Sequence, residues 1–99
     1  MLDFYIIKDD LAKPTYPEQL GLAFAGGLDL KTFENLQHKG IIDSRFDYYS
    51  DFRLETLLIK KIRQTIIQKQ FQTDSDVKKL TQLFDSADEK QSGLIAYGD

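Results

Sequence analysis

The sequence predicts an α+β domain: about four helices around one long helix, with a small strand pair formed by the two termini. Three observations predict it. The stretch Leu54–Phe71 has no Gly or Pro and repeats apolar side chains at helical spacing. Two runs rich in aliphatic and aromatic residues, Leu2–Ile7 and Leu94–Tyr97, stand at opposite ends of the chain. Between them, capping residues and glycines mark further helix starts and stops. Ninety-nine residues make one domain, 1–99, large enough for a single modest core.

Leu2-Asp3-Phe4-Tyr5-Ile6-Ile7 reads as a strand that ends at the turn cluster Lys8-Asp9-Asp10. Leu11–Tyr16, with Pro14, reads as loop. Thr15 and Glu18 have capping-box spacing and Pro17 falls in the first turn, so a helix is expected there. Leu20, Ala23, Phe24 and Gly27 would form its face, and Gly26-Gly27 would stop it. Asp29 is a good N-cap for a second helix, with Leu30, Phe33 and Leu36 recurring at period three and Lys39-Gly40 closing it. Ile41 and Ile42 are expected to fold back onto the core.

Leu54–Phe71 is the expected long helix. Leu54, Leu58, Ile62 and Ile66 form an i, i+4 ridge that Leu57 widens, while Ile59, Ile67 and Phe71 lie off it. Apolar residues on more than one side make it the expected hub of the fold. After a linker at 70–73, Asp74 or Thr73 caps a last helix with Val77, Leu80, Phe84 and Ala87 on one stripe and Leu83 beside it. Gln91-Ser92-Gly93 ends that helix. Leu94–Tyr97 then pairs with residues 2–7, and a two-stranded ribbon must rest on the helices to be stable.

The segment Ser44–Arg53 has no clean period and reads as a structured loop or a short strand. It packs four aromatic residues, two arginines, two aspartates and two serines into ten positions. Such a mixture is costly to bury unless every charge is satisfied. It is therefore either a network of Arg–Asp pairs that fixes the fold or a recognition surface. Arginine and tyrosine are enriched at binding hot spots, so the candidate binding residues are Arg45, Tyr48, Tyr49, Asp51, Phe52 and Arg53.

Other chemistry is sparse. The single histidine, His38, sits beside Lys39 near a helix end with no acid, base or nucleophile pattern around it. Asp85–Lys90 begins like a calcium loop but has Lys90 where an EF-hand needs glycine. Asp43, Asp47 and Asp51 are spaced by four and would share a helix face, yet pairing with Arg45 and Arg53 is the simpler expectation. The glycines form no phosphate loop and no dinucleotide fingerprint. No catalytic residue, metal or cofactor is expected, and the chain is not read as an enzyme. The absence of cysteine fits a reducing compartment. The N-terminus lacks a basic region and a signal core, and no apolar run reaches a membrane-span length. Together these give a cytoplasmic expectation with no membrane partner.

The net charge is −3, but residues 53–71 carry Arg53, Lys60, Lys61, Arg63 and Lys69 against Glu55 alone. That segment is a candidate phosphate or nucleic-acid footprint, though an acidic chain makes nucleic acid an unfavoured partner.

Leu2-Asp3-Phe4-Tyr5, Phe24-Ala25-Gly26-Gly27-Leu28, the Arg45–Arg53 block and Gly93–Asp99 give the chain a texture that resembles small, acidic, stand-alone bacterial proteins of uncharacterised function. Some of those look like immunity partners of polymorphic toxins. The resemblance carries no functional residues across. It implies a protein-binding module, in its finer form an immunity-type inhibitor of a basic toxin domain, since an acidic inhibitor can imitate the phosphates a basic nuclease expects. The alternatives are a phosphate or nucleic-acid binder through helix 53–71 and a homodimeric structural protein that pairs surplus apolar faces of that helix.

Overall fold

The two ends of the chain pair side by side in the middle of one antiparallel sheet. The computed structural model describes residues 1–98. Strand β1 is Leu2–Ile7, β2 is Ala23–Leu28, β3 is Phe52–Leu54 and β4 is Gly93–Tyr97, in the order β2-β1-β4-β3. Helices α1 (Leu30–His38), α2 (Thr56–Gln68) and α3 (Ser75–Glu89) complete the fold. The expected pairing of residues 2–7 with 94–97 is present, with Tyr5 opposite Ile95 and Asp3 opposite Tyr97.

The class is α+β, but the arrangement of four helices around one long helix is incorrect: the described residues form three helices on a four-stranded antiparallel sheet. The largest correction lies at residues 15–28. Pro17–Gln19 forms one 3-10 turn, after which the chain becomes the edge strand β2. The turn opens as its residues suggest, with Pro17 at its first position, but the side-chain contact is Gln19 accepting the Thr15 N–H at 2.8 Å. No helix continues because Leu20, Ala23 and Phe24 have no apolar wall to face, and Leu20 and Phe24 stay 48% and 60% exposed. The glycines serve the strand. Phe4 pairs with Gly26 and Tyr5 with Phe24, so Ala25 is the extra residue of a β-bulge. Gly26 has φ 150°, and a Cβ there would stand 2.8 Å from Leu83 Cδ2 of α3.

The second correction concerns the hub. Leu54 belongs to β3, α2 is 13 residues long, and its buried residues are Ile59, Ile62 and Ile66. Leu57 is 65% exposed rather than widening the buried ridge. The hub is α3, the longest helix, which packs against β1, β2 and β4 and touches both other helices. Its stripe is as its sequence predicts: Val77, Leu80, Leu83, Phe84 and Ala87 are all buried. Caps at Asp29 and Asp74 are also as expected. Asp29 accepts the Thr32 N–H at 2.8 Å, and Asp74 accepts those of Asp76 and Val77. These bonds hold both carboxyls below the usual carboxylate range.

Along β1, Leu2 and Phe4 point into the helical core, which leaves Asp3, Tyr5 and Ile7 on the opposite face. Residues 8–16 fold back over part of that face. Arg53 donates to the carbonyls of Leu11 at 2.5 Å and Lys8 at 2.9 Å, and the Tyr97 hydroxyl donates to that of buried Pro14 at 3.0 Å.

Candidate functional site

The aspartates at period four are turn formers. Asp43 Oδ1 accepts the Arg45 N–H at 2.9 Å while Phe46 N–H bonds back to the Asp43 carbonyl. One turn later the pattern repeats: Asp47 Oδ1 accepts the Tyr49 N–H at 3.0 Å, and Ser50 N–H bonds back to the Asp47 carbonyl. Gln37 of α1 ties the first turn down through the carbonyls of Asp43 and Phe46. Asp51 closes the series by accepting the Gly98 N–H and pairing with Lys13 at 3.0 Å. Among the described residues there is no cluster of His, Asp or Glu that could hold a metal ion.

This geometry divides the six candidate binding residues among three environments. Tyr48 is 8% exposed and packs on Phe33 at 5.7 Å between ring centroids. Phe52 is half-buried and is the centre of the aromatic set, touching Phe46, Phe33 and Phe4. Arg53 and Asp51 anchor the flap of residues 8–16, one through its carbonyls and the other through Lys13. Arg45 and Tyr49 stand out in solvent, Tyr49 being 58% exposed, and Asp51 is exposed as well.

The expected Arg–Asp lattice does not form. Arg53 meets backbone carbonyls instead of carboxylates, with its Nε buried and without an acceptor. Arg45 reaches Asp43 only at 4.0 Å. Its guanidinium instead lies over the Phe46 ring, 4.9 Å from the centroid.

Arg45 and Phe46 thus form a crest between two grooves. One, of about 290 Å³, runs from the crest to the head of α2 and is lined by Leu57, Leu58, Lys61, Glu55 and Arg53. The other, of about 300 Å³, lies toward α1 and is lined by Glu34, Gln37, Asp47, Tyr48 and Tyr49. Residues from the aromatic block and from the basic segment therefore share one surface. Lys61 belongs to the basic footprint read from the sequence, whereas Leu57 is not among the candidate binding residues there; the signal for Leu57 is its place beside, rather than on, the buried ridge of α2.

Most of the basic segment is already engaged. Arg63 donates to Asp85 at 2.9 Å and Asp88 at 2.6 Å and covers Phe84. Burial would lower its pKa, but the two carboxylates outweigh this and raise it. Lys69 donates to the Lys39 carbonyl at the end of α1. Lys60 and Lys61 are exposed and make no ion pair with a described residue. His38 is exposed at the last turn of α1. Among the described residues no helix is long and apolar enough to cross a membrane.

The chain matches no protein-family model, no curated protein and no solved structure.

Proposed function

We propose that this protein is a binding module for another protein and that the Arg45–Phe46 crest is its contact surface. The observation that carries the reading is the exposure of Leu57 and Tyr49, 65% and 58%, on either side of a guanidinium laid over an aromatic ring. Arginine and tyrosine held by a rigid support lose little freedom on binding, and an exposed leucine beside them gains from being covered. The Asp43 and Asp47 turns supply that rigidity. A finer reading, an immunity-type inhibitor of a toxin, draws support from the acidic net charge of −3. The phosphate or nucleic-acid reading is weaker. Arg53, Arg63 and Lys69 are spoken for within the fold, which leaves Lys60 and Lys61 as a small footprint for a polyanion.

The test is affinity capture from source-cell lysate with wild type beside an Arg45→Glu/Leu57→Asp variant, both verified as folded by circular dichroism. Both side chains are exposed, so the fold is expected to survive. A partner held by wild type and released by the variant supports the crest. Equal capture by both removes it.

A further inference from the structure

The sheet face away from the helices is only half covered. On the β3–β4 side the flap of residues 8–16 lies across it, tied down by Arg53 and Tyr97, and Lys13 neutralises Asp51 there. Ile7 and Ile95 are buried on this side although they alternate with core-facing neighbours. On the β1–β2 side the aromatic rings continue beyond the flap. Tyr97 meets Tyr5 edge to face at 5.9 Å, and Tyr5 meets Phe24 at 5.4 Å. Phe24, last in the row, is 60% exposed.

Two acidic side chains stand beside this open end. Asp3 shares the face with Tyr5 and sits opposite Gly27, over which the Met1 side chain lies. Glu18, in the 3-10 turn, is close enough for its charge to act on both Tyr5 and Tyr97. Neither carboxylate makes an ion pair with a described residue. Burial foremost, and then these acids, push the Tyr5 hydroxyl above its ordinary pKa, in keeping with a negative potential around the ring.

An exposed phenyl ring on a face that carries two carboxylates without an ion pair to a described residue is complementary to one kind of side chain. A lysine or arginine can lay its methylene stem on the ring, present its cation to the ring face and pair with the acids. A phosphate backbone or an anionic membrane would be repelled. We propose that the Tyr5–Phe24 face docks a basic segment of a partner protein, with a cationic side chain lying across Phe24 and Tyr5 between Asp3 and Glu18. This surface lies on the β2 side of the sheet, away from the Arg45–Phe46 crest by β3, and does not depend on it.

A hexa-arginine peptide titrated into the isotope-labelled full chain, followed by NMR, tests the proposal. Shifts should concentrate on Asp3, Tyr5, Glu18 and Phe24. An Asp3→Asn/Glu18→Gln/Phe24→Ser variant should weaken binding by about tenfold or more, from the loss of cation–π and charge contacts together. Asp10→Asn/Glu89→Gln, which removes the same two charges from other exposed positions, should change it less than about twofold. If the triple variant misfolds, Asp3→Asn/Glu18→Gln alone carries the comparison. Shifts spread over all acidic faces, or equal weakening by the two charge-matched variants, overturn the proposal. Arg45→Glu/Leu57→Asp should leave peptide binding intact, so failure of the crest reading and failure of this one are distinguishable.

Discussion

The Asp9 carboxylate accepts the backbone N–H of Thr56 at 3.2 Å, and the Thr56 hydroxyl donates to it as well. Glu55, which occupies the N-cap position of α2, makes no side-chain capping bond. The helix is therefore capped from the turn after β1, 47 positions upstream. Gly93 makes this approach possible, since a Cβ there would lie 3.0 Å from Asp9 Oδ1 and 2.6 Å from the Leu54 carbonyl oxygen.

Removing that cap should be felt globally. Asp9→Ala is expected to cost about 1 kcal/mol, the usual loss for an N-cap. Asp10→Ala, one position on and exposed, should be close to neutral. Urea denaturation of the two variants checks this, and similar midpoints for both would remove Asp9 from its capping role.

The two arginines of the aromatic block should behave in opposite ways. Arg53→Ala leaves the carbonyls of Lys8 and Leu11 without their donor and is expected to destabilise by about 2 kcal/mol, the scale for hydrogen bonds to a charged group. Amide exchange over residues 8–14 should quicken at the same time. Arg45→Ala should change stability by no more than about 0.5 kcal/mol. Comparable losses from both would mean that Arg45 also holds the fold.

Gly26 and Gly21 give a paired test of the β2 turn. Both have positive φ, but only Gly26 has a neighbour within reach of a new Cβ. Gly26→Ala should cost about 3 kcal/mol through backbone strain and overpacking against Leu83. Gly21→Ala, with open space around it, should cost about 1 kcal/mol from its left-handed backbone alone. Thermal denaturation monitored by circular dichroism separates them, and an unperturbed Gly26→Ala would contradict the close approach of α3.

Acid stability should depend on the helix caps. The Asp74 carboxyl is held low chiefly by the Val77 N–H, and Asp29 chiefly by the Thr32 N–H. A depressed folded-state pKa means stability that is fully present above the unfolded value, about 3.9, and lost as pH falls through the folded one. Denaturation midpoints measured between pH 6 and pH 2 should fall for wild type below about pH 4. The fall should be shallower for Asp74→Ala, which starts lower and keeps only the Asp29 part of this linkage. Parallel curves would show that Asp74 contributes nothing to the acid transition.

How far the sequence could be read follows from which signals were local. Asp29 and Asp74 announce their helices because an N-cap bonds within three residues. The α3 stripe is legible because a whole face is buried at helical spacing. β2 is not, because Ala23–Leu28 is an edge strand whose glycines answer to Met1, Asp3 and Leu83, all distant in sequence. The same holds for the candidate site. The density of the 44–53 block marks the segment but not the fate of its side chains: Tyr48 and Phe52 are drawn inward by Phe33, and Arg53 by a flap more than forty residues away. Leu57 looks like core by composition and becomes surface because Ile59, Ile62 and Ile66 already fill the buried side of α2.

The strand order has a consequence for synthesis. β4 is made last, yet it lies between β1 and β3, and β3 has no other partner in the sheet. A nascent chain that has not yet released residues 93–97 from the ribosome can form its helices and the β1–β2 hairpin, but its remaining strand has nothing to pair with. Closing a loop of nearly the whole chain is entropically slow. Completion of the native sheet therefore waits for residues 93–97, and a chain truncated before them would lack its central pairing rather than be a slightly shortened protein.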